Sequence, residues 1–136
     1  MRTLFAAGLA VLLAAGCGDD TESVVADPDF PAVIAAEAAP GDDGTWRFSV
    51  TISSPYDSPE RYADAWRVLD PTGAELGVRV LTHDHAGEQP FTRSLAGVTI
   101  DAKVETVTIE GRDLVNGWGG TTLELDLDAS RETETP

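Results

Sequence analysis

The run Thr45–Ser53 alternates without a break. Trp46, Phe48, Val50 and Ile52 fall on one side, and Arg47, Ser49, Thr51 and Ser53 on the other. Successive side chains of a strand project to opposite faces, so a period of two gives one apolar face to bury and one wet face. A helix would scatter the same four apolar residues around its circumference. A strand of this kind cannot stand alone, and the rest of the chain must supply a second apolar layer to cover it.

The remaining segments offer that layer. Ala63–Asp70 carries Trp66 and Val68 on one face, and Asp70-Pro71-Thr72-Gly73 follows as turn chemistry, with proline presetting φ and glycine tolerating positive φ. Glu75–Leu81 returns with Leu76, Val78 and Val80 expected inward. Thr92–Ile100, then Val104–Glu110 with Val107 and Ile109 inward, then Thr121–Leu127 with Leu123, Leu125 and Leu127 inward, read as further strands. Val33–Ala39 is rich in alanine, but Pro31 and Pro40-Gly41 bound it closely and favour strand over helix. Gly41-Asp42-Asp43-Gly44 lacks the spaced ligands of a calcium loop and reads as a hairpin turn. The expectation is an all-β sandwich of about seven short antiparallel strands over residues 32–128. The stretch Val104–Leu127 resembles the last hairpin of fibronectin type III and other immunoglobulin-like domains, with Trp66 as the core aromatic. The cysteine pair of antibody domains is absent, so the resemblance is to the disulfide-free branch.

The one cysteine of the chain, Cys17, ends a short apolar segment. Leu12-Leu13-Ala14-Ala15-Gly16-Cys17, preceded by Arg2 and an apolar run too short to span a bilayer, resembles the lipobox of bacterial lipoprotein signal peptides. That resemblance implies removal of residues 1–16, lipidation of Cys17, and a place outside the cytoplasm on a membrane. Residues 17–31, acidic and containing Pro28 and Pro31, read as a flexible linker, and residues 129–136 as a polar tail. With Cys17 acylated no thiol remains for a disulfide, a nucleophile or a metal. The formal charge of −15 argues against nucleic acid and anionic headgroups as partners.

Both histidines fall in His83-Asp84-His85-Ala86-Gly87-Glu88-Gln89-Pro90-Phe91-Thr92-Arg93. A His-x-His pair in extended backbone points both rings to one side, which suits Zn²⁺ or Cu²⁺, with Glu88 or Asp84 as an oxygen ligand. A stable site wants three or four protein ligands, and the alternative is a polar loop. Arg93 could hold a partner's carboxylate, or pair with one of the chain's own carboxylates, many of which surround it in sequence. Asn116-Gly117-Trp118-Gly119-Gly120 reads as a bare loop whose tryptophan either anchors a partner or caps the sandwich end. Pro55–Asp64, with two tyrosines and several carboxylates, reads as a decorated loop.

Tyr62-Ala63-Asp64-Ala65-Trp66-Arg67-Val68, the His83–Leu95 segment with its Glu-Gln-Pro-Phe-Thr-Arg-Ser-Leu string, and Gly117-Trp118-Gly119-Gly120 together resemble a family of small bacterial exported lipoproteins with no assigned activity. The resemblance implies one domain with one shared surface. No nucleophile elbow, phosphate loop or zincin helix is present in the sequence, so no enzyme is expected. The expectation is a lipid-anchored binding or accessory module for a protein or glycan at the envelope. It would use Gln89, Phe91, Arg93 and Trp118. The alternative is a copper or zinc protein using His83 and His85.

Overall fold

The computed structural model describes residues 29–132. The expected signal segment, Cys17 and most of the expected linker lie outside the described residues, as do residues 133–136. The described chain forms seven strands and one short helix: β1 (Ala32–Pro40), β2 (Trp46–Ser53), β3 (Ala63–Leu69), β4 (Glu75–Val80), β5 (Phe91–Val98), β6 (Thr106–Asp113), β7 (Gly117–Asp126) and α1 (Leu127–Glu132). They make a three-stranded sheet, β1-β2-β5, and a four-stranded sheet, β4-β3-β6-β7, antiparallel throughout. This is the all-β sandwich expected from the alternation.

The central strand β2 buries Trp46, Phe48, Val50 and Ile52. They meet Trp66 and Val68 of β3 and Val107 and Ile109 of β6 in one core. Each such side chain contributes about 1.5–3 kcal/mol by leaving water. The hairpin turns are those expected. Gly44 and Gly73 adopt positive φ, and Asp70 closes the second turn through the backbone N–H groups of Thr72 and Ala74.

Three boundaries differ from the sequence reading. In β4, Val68 pairs with Gly77 while Leu69 pairs with Glu75, so Leu76 is an extra residue on the edge strand. The bulge reverses the alternation beyond it. Gly77 then faces the core, where an added Cβ would meet Leu95 and Val98 at 3.1 and 3.2 Å. Val80, expected inward, is 57% exposed. Arg79 lies opposite the buried Trp66 and donates to the Ser94 carbonyl of β5 at 3.1 Å, tying the two sheets together.

The expected linker reaches less far than residue 31. Pro31 is fully buried, and Phe30 lies against Gly119. A Cβ on Gly111 would sit 2.7 Å from the Pro31 ring, one on Gly119 would sit 2.7 Å from the Phe30 ring, and one on Gly120 would overlap the Pro31 carbonyl oxygen. The glycines expected to form a bare loop are therefore a cradle, and β7 runs through them. At the other terminus, α1 occupies the start of the expected polar tail. Leu127 is buried, its N–H bonds to the Glu105 carbonyl, and the Asp126 side chain accepts the Asp128 N–H in the manner of a helix cap. Arg131 then donates to the Val104 carbonyl at 3.0 Å.

Candidate functional site

The start of β1, the end of β2, the start of β3, the end of β4, the start of β5 and the β6–β7 turn all lie at one end of the sandwich. The described chain enters at this end, at Asp29. The loop joining β4 to β5, residues 81–90, contains both histidines, and it is bent rather than extended.

Its centre is a stack. The His85 ring lies on Phe91 with centroids 3.9 Å apart and planes within 10°, and His83 lies over His85 at 4.6 Å and 35°. His85 is buried and His83 exposed. Burial lowers the His85 pKa below its ordinary 6.5, and the charges of Arg93 and His83 push it the same way against Asp57 and Glu88. The stack therefore favours the neutral His85 ring over the imidazolium. Its Nδ1 is buried with no hydrogen-bond partner among the described residues.

Arg93 pairs with Glu88 at 2.9 Å, donates to the Thr92 carbonyl at 2.7 Å, and lies over the Phe91 ring. The internal pair anticipated for this arginine is the one formed. The hydrogen bond from Arg93 holds the Glu88 carboxyl below its usual range. The Glu88 carboxylate, an oxygen ligand considered for a metal, is bonded to Arg93. Among the described residues, no group of three or more His, Cys, Asp or Glu side chains gathers in a way that could hold a metal ion.

Two expected contact residues turn inward. Gln89 accepts the Ser54 N–H at 2.7 Å and donates to the Ser54 hydroxyl and the His85 carbonyl. Its amide is used up strapping the loop to the end of β2. Phe91 is 2% exposed, because it opposes Ile52 on the core face and reaches the surface only through the rings stacked on it. Trp118 is not at a loop tip. It is half-buried in β7 and opposes Arg112, with the guanidinium of Arg67 at 4.0 Å and that of Arg112 at 5.0 Å from its ring centre. Arg67 is held by Glu110 and Glu75, and Arg112 by Asp64. The ring contacts of Trp118 are with these arginines and not with the His83–Arg93 segment.

Sequence reasoning missed Asp57, which it left among the decorations of a polar loop. Asp57 is 6% exposed. One oxygen accepts the Ala63 N–H at 3.1 Å and the other the His85 N–H at 2.9 Å. This carboxylate joins the 54–62 loop, the start of β3 and the histidine loop. A cleft of about 220 Å³ between Glu37, Ala38, Ala39, Arg47 and Ser49 lies on the outer face of β1 and β2, away from this cluster.

No protein-family model matches the chain, and no solved structure matches it. A protein of Halomicrobium mukohataei named "Putative lipoprotein" is 35% identical over 82 residues, which is 60% of this chain. The chain spans about two fifths of that relative's length, the match covering 40% of it. No helix of the described residues is long and apolar enough to cross a membrane.

Proposed function

We propose that this chain is a lipid-anchored, extracytoplasmic binding module, carried on an immunoglobulin-like sandwich and held through Cys17. Its contact surface is the exposed side of the His83–Arg93 segment. Three things support the reading: the lipobox, the lipoprotein relative, and the strand order. The fourth strand joins the sheet of the third, sixth and seventh, as the added strand does in variable immunoglobulin domains. The observation that carries the contact surface is the locking of this loop. His83, Glu88 and Arg93 reach solvent from a loop fixed by Asp57, Gln89 and the ring stack. A surface ordered before contact loses little conformational entropy when a protein or glycan docks.

The test places a photo-crosslinking side chain at exposed Ala86 in the full lipid-anchored chain, in its own membrane, with exposed Ala102 at the far end as control. The expected result is a discrete adduct from position 86 that disappears with His83→Ala or Arg93→Ala. Identical adduct patterns from both positions refute the surface.

A second reading, an envelope copper or zinc protein, is favoured by one observation, the unpartnered Nδ1 of His85 beside the exposed His83 ring. Equilibration with Zn²⁺ or Cu²⁺ followed by metal analysis decides it. Stoichiometric metal in the parent and none in His83→Ala/His85→Ala puts this reading first, and no retained metal removes it.

A further inference from the structure

We infer that the β6–β7 hairpin tip, Leu114–Val115, is a membrane seat that rests in the interfacial layer of the bilayer holding the anchor. The inference rests on the lipoprotein reading above. Turn tips favour Gly, Asn, Asp, Ser and Pro, because these residues supply the backbone geometry and face water without loss. This tip instead presents adjacent leucine and valine side chains, 44% and 66% exposed. Neither is needed to close the turn. That work is done by Asp113, 1% exposed, which accepts the N–H groups of Val115 at 2.9 Å and Asn116 at 2.8 Å and the Nε of Arg61 at 3.2 Å. The Leu114 N–H bonds to the Tyr62 carbonyl at 2.9 Å. The two aliphatic side chains are thus held outward on a rigid support.

The second observation is where the chain enters the fold. Asn116 donates from Nδ2 to the Asp29 carbonyl at 3.1 Å, and Arg61 contacts the Asp29 carboxylate at 3.5 Å. With Phe30 and Pro31 seated on the glycine cradle, the route from the lipid meets the body one residue from the tip. The segment Cys17–Pro28 reaches at most about 40 Å when fully extended (~3.4 Å per residue). The anchor therefore keeps this end near the bilayer, and insertion becomes an intramolecular step at high effective concentration. Two aliphatic side chains leaving water then suffice to bias the orientation, though they would not hold an unanchored protein. The acidic body is repelled by anionic headgroups, so the surface that fits is a zwitterionic one.

The test uses the full chain, processed and lipidated, in phosphatidylcholine vesicles. Cys17 is blocked by its own thioether, so V115C gives one free thiol for an environment-sensitive fluorophore, and A74C gives a control at the opposite end. The expected result is blue-shifted emission at position 115 and several-fold weaker quenching by a water-soluble quencher than at position 74. Adding L114D should restore quenching at 115 while the protein stays on the vesicles. An acylated protein whose two positions are quenched equally overturns the seat and leaves the anchor standing. An intact mass without acyl chains, with two titratable thiols in V115C, overturns the lipoprotein reading and the seat with it.

Discussion

Replacing Asp57 by alanine tests the claim that the histidine loop is held from beneath. The carboxylate is nearly inaccessible and accepts two backbone N–H groups, those of Ala63 and His85. Removing it leaves both donors unpaired, at about 1–3 kcal/mol each. Removing a buried carboxylate also relieves its own desolvation, which offsets part of that loss, so the net destabilisation should be about 2–4 kcal/mol. Asp57→Asn keeps one acceptor and turns an amide NH₂ toward the other donor, so it should fall between the parent and Asp57→Ala. Urea unfolding gives the global loss, and amide hydrogen exchange locates it. Exchange should accelerate at His85 and Ala63 in Asp57→Ala well before it does in the β2 and β6 amides. A stability within about 0.5 kcal/mol of the parent, the usual range for surface substitutions, with unchanged exchange at those two amides would refute the reasoning.

Acid should act on the stack. The folded His85 pKa lies below its ordinary 6.5, so the unfolded chain binds the proton first and stability falls as pH drops through 6.5. Urea midpoints from pH 8 to 5 should show this slope and lose that part of it in His85→Phe. Gly120→Ala meets both a positive φ of 87° and the Pro31 carbonyl, whereas Gly117→Ala meets a φ of 84° in open space. The latter should cost only the backbone penalty of about 1–2 kcal/mol, and the former should cost more and make the chain near Phe30 sensitive to limited proteolysis. Trp118→Leu removes two guanidinium–ring contacts and should cost about 1–2 kcal/mol in thermal or urea melts, while leaving crosslinking from position 86 unchanged.

The parts of the fold legible in the sequence were those in which one strand carries its own signal. Every second residue of β2 is in the core because nothing interrupts its period. The phase of β4 was not legible, because the bulge at Leu76 exists only in relation to β3. The glycines before Thr121 read as a bare loop, because the residues they receive, Phe30 and Pro31, are distant in sequence. At the site, an internal ion pair for Arg93 was readable because carboxylates crowd around it along the chain, while the choice of Glu88 came with the fold. The histidine pair was found, but its geometry was not: the segment is bent, so the rings stack instead of pointing side by side. Nothing local separates Asp57 from the other carboxylates of an acidic chain, since its role depends on N–H groups brought to it by two other segments.

The two ends of the sandwich solve the same turn problem with different chemistry. At the far end, Asp43, Asp70 and Asp101 close their turns with carboxylates that remain in contact with water, where a lost bond is replaced by solvent at little cost. At the end where the chain enters, the acceptors are Asp57 and Asp113, both buried. For Asp113, burial pushes the pKa up, yet the N–H groups of Asn116 and Val115, with other donors, hold it below 3.8. A buried carboxylate is costly unless its bonds are all made, and the core of β2, β3 and β6 does not require either one. What the two acids secure is the shape of the loops around them, the histidine loop in one case and the Leu114–Val115 tip in the other. Rigidity concentrated at one end is expected where the shape of that end is used, and this is the end that the anchor would hold against the membrane.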